Sequence, residues 1–245
     1  MTSTSKPTPS KAQFDQAAFD AFVLDNKVIG FFEKPITLKS GRQSNWYVNW
    51  RTVSEDAFLS DQLADFVISF VNGLVASGKI SAAPQTLYGV PEGATKVAMI
   101  AQLKWAQASG TFAPGSHILA MGRGKPKEHG VPKDKYFLGV PRGTTVVIED
   151  VTTTGGSLLT CIESLCAADV SCPYAVGLTN RMELRDDRKS VAQALRALSP
   201  AVEYFHMSSA VTLLPLAARR SNPGAKILAE VEREFSEVGV EPIRF

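Results

Sequence analysis

The chain has 245 residues, 44% of them hydrophobic, with 26 basic against 24 acidic side chains and a net charge of +2. That apolar share supports a sizeable core and excludes a disordered chain. The near-neutral balance excludes a global basic field for nucleic acid, so any basic site is local, and the length suits one α/β domain with decorations. The three cysteines, Cys161, Cys166 and Cys172, lack metal-ligand spacing and are expected to be reduced, as in a cytosolic protein. No run reaches a membrane span by this reading, since the apolar stretch from Phe66 to Ala76 is short and holds Asn72 and Gly73. Residues 1–13 begin with a Ser/Thr/Pro-rich stretch without an apolar core or transit arginines, and a flexible tail is expected before a single domain over 14–245. The expected location is cytoplasmic.

In chain order, helical spacing first appears over Phe14 to Phe32, up to Pro35. Phe31 to Asn49 predicts short strands around a turn at Ser40-Gly41. A long amphipathic helix is expected over Ala57–Val75, a strand over Thr86–Val90, a turn at Pro91-Glu92-Gly93 and a helix over Ala94–Gln107. His117–Met121 predicts a strand, and 122–139 a polar loop. Strands follow at Thr145–Asp150, Tyr174–Thr179 and Val202–Met207, with helices after Ser157, over Val191–Leu198 and over Ala225–Phe235. This alternation predicts an α/β fold, a mostly parallel central sheet flanked by helices. Residues from about 14 to 55 and the C-terminal segment fall outside the alternation and are expected to form a small hood over the ligand crevice at the carboxyl ends of the strands.

The chemistry concentrates in VVIEDVTTTGGS, Val146 to Ser157. A β-branched strand ends in two acids, Glu149 and Asp150. The hydroxyl and glycine run Thr152, Thr153, Thr154, Gly155, Gly156 and Ser157 then opens a helix. Such a turn presents N–H groups and hydroxyls to an anion at the positive end of a helix dipole. The acids suit hydroxyl donors such as a ribose diol, or a magnesium ion. No lysine follows the glycines, so this is not a Walker A loop, and it is not GxGxxG. An ordinary strand-turn-helix junction is the bland alternative.

Two further segments carry cations. GRGKPKEHG, Gly122 to Gly130, places Arg123, Lys125, Lys127 and His129 in a loop with almost no apolar anchor, which predicts a mobile lid closing on an anion over a merely solvated loop. In the segment Ile36 to Asn49, Lys39 and Arg42 flank a Ser-Gly turn and Trp46 and Tyr47 follow, equally consistent with a packed hairpin or with a grip on a flat anionic heterocycle. Arg181, past the strand Ala175–Thr179, either forks onto a substrate carboxylate or pairs with Glu183 at the surface.

Together, LKSGRQS (Leu38–Ser44), RGKPKEHG (Arg123–Gly130) and IEDVTTTGGS (Ile148–Ser157) resemble the orotate phosphoribosyltransferases, within the type I phosphoribosyltransferases, and the likeness runs from about Phe14 to the C-terminal region. The resemblance implies transfer of the phosphoribosyl group from phosphoribosyl pyrophosphate to orotate in UMP biosynthesis, in a magnesium-dependent homodimer. Glu149 and Asp150 would hold the ribose hydroxyls, and the stretch with Val151 and Thr152 to Ser157 the 5-phosphate. Arg123, Lys125, Lys127 and His129 would bind pyrophosphate, reaching into a neighbouring subunit. Lys39, Thr153, Tyr47 and Arg181 would bind orotate, with Lys127, Glu149 and Asp150 the catalytic set. Magnesium would be held mainly through substrate oxygens, with no direct protein ligand, and neither nucleic acid nor membrane is an expected partner. The chain departs from many relatives at Asn45-Trp46-Tyr47 and at Glu92, where some carry lysine. No fused decarboxylase domain is expected in a chain of this length. A type I transferase for another base and a non-enzymatic sensor of phosphoribosyl pyrophosphate are the alternative functions.

Overall fold

The computed structural model describes residues 13–124, 127–129 and 135–245. The expected tail (but for Gln13) and Lys125 lie outside the described residues. Helix α1 (Gln16–Asp25) leads into strands β1 (Ile29–Thr37) and β2 (Gln43–Val48), a short α2 (Arg51–Glu55) and α3 (Ala57–Ala76). Then come β3 (Thr86–Gly89), α4 (Thr95–Ala108), the short strands β4 (Met121–Gly122) and β5 (Phe137–Leu138), and β6 (Thr145–Thr152). Helix α5 (Gly156–Cys166), β7 (Tyr174–Asn180), α6 (Val191–Arg196), β8 (Glu203–Ser209), α7 (Ala210–Ser221) and α8 (Ala225–Val238) complete the order.

The central sheet has four strands in the order β3-β6-β7-β8, and all three pairings are parallel. Successive side chains along β6 point to opposite faces. Val146 and Ile148 enter a large core with Leu63, Val67 and Val71 of α3 and Leu213 and Leu214 of α7. Val147 enters a second core with Leu158, Ile162 and Leu165 of α5 and Val191 and Leu195 of α6. Both faces are covered by helices, so β6 reads as one continuous apolar run. Local caps start the helices: Asp15 accepts from the Ala18 N–H at 3.0 Å, Asp56 from that of Leu59 at 2.9 Å, and Ser190 and Gln193 form a reciprocal capping box.

Outside the sheet, β1 and β2 form an antiparallel pair, with Phe31 opposite Trp46 and Ile36 opposite Ser44. Helix α8 lies on this hairpin, where Phe235 stacks on Trp46 with centroids 6.1 Å apart. N- and C-terminal segments thus meet in one layer.

Several expectations change. The first helix ends at Asp25, and Pro35 sits inside β1 within a register shift between Phe31 and Ile36, where no ladder N–H is required of it. His117–Met121 does not join the central sheet; only Met121 and Gly122 pair, antiparallel to Leu138 and Phe137. The 122–139 loop therefore springs from a two-stranded stem. Helix α7, with Pro215 inside it, is an element that the sequence reading did not include. Helix α3 stands where it was expected, but against the expectation that no run reaches a membrane span its 20 residues are long and apolar enough to cross one by length and composition. Its face of Leu63, Ala64, Val67 and Val71 is fully buried in the large core, and Asp61 and Asp65 pair with Lys104 of α4 at 2.8 and 2.7 Å.

Candidate active site

A cavity of about 1080 Å³ opens beyond the carboxyl ends of β3, β6 and β7. One wall is the turn from Thr153 into α5. Gly155 has φ +72°, and a Cβ there would lie 2.9 Å from Val191, so glycine alone lets the chain reverse this close to α6. Leu158, Ile162 and Leu165 anchor α5 on the sheet. No side chain caps the helix start, which leaves its first N–H groups for a ligand in the cavity. Val151, Thr153, Thr154, Gly155, Gly156 and Ser157 all line the space. Thr152 does not. It is fully buried, shares a hydrogen bond with the Tyr204 hydroxyl, and its carbonyl accepts from the Arg181 N–H at 2.9 Å. Its side chain is therefore turned into the core, unlike those of its neighbours in the phosphate motif.

The two acids sit at the sheet edge of the cavity. Glu149 is 6% exposed and its Oε2 has no hydrogen-bond partner. Burial foremost, then the Asp150 charge, pushes its carboxyl up to about 8, against an opposing pull from Lys39. Asp150 is also held above the usual range by burial, partly offset by the Val151 N–H and by Arg51 and Lys39. Gly93 packs directly on Asp150, since a Cβ at Gly93 would overlap the Oδ2 atom. Lys39 crosses the cavity from the hairpin turn and donates to Ser157 Oγ at 3.0 Å.

Arg181 lines the cavity but is not a surface residue; it is 1% exposed. Its Nε donates to Glu183 at 2.6 Å, and its Nη2 to Ser44 at 2.9 Å and to Glu234 at 3.2 Å. The guanidinium lies 3.6 Å above the Trp46 ring. The alternative pairing with Glu183 is present, though buried and not at the surface. Arg42 faces the same network, at 3.2 Å from Glu183 and 2.8 Å from Asp186. Trp46 is core, whereas Tyr47 lines the cavity.

Of the lid cations, Arg123 lines the cavity. Lys127 and His129 are exposed and lie off its lining, and the Lys127 N–H bonds the Lys135 carbonyl at 2.9 Å, continuing the β4–β5 stem. Glu92 lines the cavity beside Gly124, where a Cβ would sit 2.6 Å from its Oε1. Other functional neighbours escape a reading of the sequence. Arg185 donates to the Thr154 carbonyl at 2.5 Å and so braces the turn; its place past the end of β7 is the available signal. Arg51, Tyr88 and Lys96 also reach the cavity wall, and nothing local in the sequence marks them.

No family model matches the chain. It is 30% identical over 186 residues to an orotate phosphoribosyltransferase of Bradyrhizobium diazoefficiens, covering 69% of this chain and 87% of that one. An orotate phosphoribosyltransferase of Rhodopseudomonas palustris is 31% identical over 186 residues, with 70% and 87% covered. Among solved structures, the orotate phosphoribosyltransferase of Francisella tularensis superposes with a TM-score of 0.62 at 17% identity over 91% of this chain and 99% of that one, a likeness of fold. Sequence kinship at that identity and coverage, on that fold, places the chain in the orotate phosphoribosyltransferase family.

Proposed function

We propose that this chain transfers the phosphoribosyl group of phosphoribosyl pyrophosphate to orotate, forming orotidine 5-phosphate and pyrophosphate on the route to UMP. One observation carries the proposal: Lys39 bridges to Ser157, at the uncapped start of α5, in the cavity that Glu149 and Asp150 line. An anion grip thus adjoins a diol grip.

The ring nitrogen of orotate would attack the anomeric carbon while the bond to pyrophosphate breaks, so no protein nucleophile is required. The turn from Thr153 to Ser157 would hold the 5-phosphate by N–H groups and hydroxyls. Asp150 would accept from the ribose hydroxyls, as would Glu149 once bound substrate and ion draw off the proton that burial favours, and with the sugar fixed the ionised acids would steady the positive charge growing on its ring. Lys39 and Arg123 would face departing pyrophosphate, joined by Lys127 when the loop closes and excludes water.

Among the described residues no group of three or more His, Cys, Asp or Glu is arranged to hold a metal ion. The unpartnered Glu149 Oε2 and the neighbouring Asp150 fit a divalent ion carried in on substrate oxygens. Magnesium bound in that way would neutralise pyrophosphate charge and polarise the leaving group. We also propose a homodimer whose loops serve neighbouring sites. Lys127 and His129 lie off their own cavity lining, and Leu119 and Leu138 beside the stem are 44% and 45% exposed, which supports such an interface. The proposed location is the cytoplasm.

The test is the absorbance change on mixing orotate, phosphoribosyl pyrophosphate and magnesium with purified protein, with adenine, guanine and uracil run in parallel. Turnover of orotate alone is expected. Turnover of a purine would reassign the base, and binding of the sugar without any product would make the chain a sensor.

A further inference from the structure

The contacts of Arg181 assign a role to Glu234, a residue of α8 outside the parallel sheet and its crevice. A guanidinium has one N–H on Nε and two on each terminal nitrogen. In Arg181 the Nε hydrogen goes to Glu183 at 2.6 Å, the Nη2 pair to Ser44 at 2.9 Å and Glu234 at 3.2 Å, and one Nη1 hydrogen to the Trp46 carbonyl at 3.4 Å. One Nη1 hydrogen is left without an acceptor, in a residue that lines the cavity. The plane of the group is set at both ends: Glu183 holds Nε, Glu234 holds Nη2, and Trp46 stacks beneath at 3.6 Å. Glu183 lies two residues along the same loop and is shared with Arg42. Glu234 comes from 53 positions away, and its other oxygen accepts from Ser44 at 3.1 Å. Its neighbour Phe235 stacks on Trp46, so a single turn of α8 sets both the donor and its platform.

We infer that Glu234 is a positioning residue that orients Arg181, so that α8 sets selectivity for a base bearing a carboxylate. This rests on the proposed reaction, with the base's carboxylate meeting the remaining Nη1 hydrogen. A single charge-assisted hydrogen bond from a rigid donor discriminates by direction. Without Glu234, Nη2 keeps only Ser44, whose hydroxyl loses its own bond to Glu234, and the guanidinium plane loses its charged anchor on that side.

Glu234→Ala is therefore expected to raise KM for orotate about ten-fold, the scale of one charged hydrogen bond, while KM for phosphoribosyl pyrophosphate stays within about two-fold. Glu234→Gln keeps an amide oxygen to accept from Nη2 and is expected to recover most of the loss. If the alanine variant does not fold, Glu234→Asp keeps the charge but shortens the reach, and the same split in KM is expected. Equal changes in both KM values, or no change for orotate in a folded alanine or aspartate variant, would overturn the inference. Failure of the proposed reaction is distinguishable, because the unsubstituted protein would then not turn over orotate at all.

Discussion

Lys39 Nζ stands 3.0 Å from Ser157 Oγ, joining the hairpin turn to the first turn of α5 across 118 residues. The same ammonium draws the Glu149 and Asp150 carboxyls downward in pKa, against the burial that raises them. Lys39→Met removes both effects. Turnover is expected to fall by about two orders of magnitude, the scale of a lost transition-state charge contact. The acid limb of kcat/KM for phosphoribosyl pyrophosphate should also move to higher pH, since the acids then ionise later. A profile that keeps its midpoint would separate Lys39 from the acid pair.

Glu149 ties stability to pH. Its folded pKa is raised from 4.5 to about 8, so between those values the folded chain keeps a proton that the unfolded chain has released. Stability therefore falls as pH rises through this window, and the penalty is complete above about pH 8. Glu149→Gln cannot ionise. It is expected to be more stable than the parent by a margin that is small at pH 5 and grows to a few kcal/mol, ~1.4 per pKa unit at most, at pH 9. Urea unfolding at pH 5, 7 and 9 measures it, and a margin independent of pH would contradict the burial argument.

Gly93 leaves no room for a side chain against Asp150, because a methyl group at its Cα would overlap the Oδ2 atom. Gly93→Ala is expected to push the Asp150 carboxylate off its proposed place against the ribose diol. KM for phosphoribosyl pyrophosphate should rise about ten-fold or more, with little change in melting temperature, because Gly93 is exposed. An unaltered KM would mean that Asp150 does not touch the sugar.

Arg185 holds the Thr154 carbonyl at 2.5 Å, and its Nε is buried without a hydrogen-bond partner. Arg185→Ala frees the turn proposed to hold the 5-phosphate. Affinity for phosphoribosyl pyrophosphate measured by calorimetry is expected to drop by about 1.5 to 3 kcal/mol, the range for a hydrogen bond to a charged group, with orotate affinity less affected. Equal losses for the two ligands would point to general loosening.

Lys127 is exposed and off the cavity lining. Lys127→Ala should leave the unfolding transition where it is and lower turnover by about two to three orders of magnitude. An unchanged rate would remove the loop from the mechanism.

Local signals determined much of this protein. The run Val146 to Ile148, two acids, hydroxyls, glycines and then an apolar helical period specify strand, turn and helix within about 20 neighbouring positions, and the turn that lines the cavity lies where they place it. The hairpin around Ser40-Gly41 and the alternation that makes the sheet parallel were legible for the same reason. Only tertiary structure decided which way Thr152 points, that His117 to Met121 stays out of the central sheet, and that Arg181 is claimed by Glu183, Ser44 and Glu234. It also decided that Glu149 holds its proton to about pH 8. Those properties belong to contacts between distant segments and to the exclusion of water by the assembled core. Composition and spacing carry neither, because burial is a property of everything packed around a group.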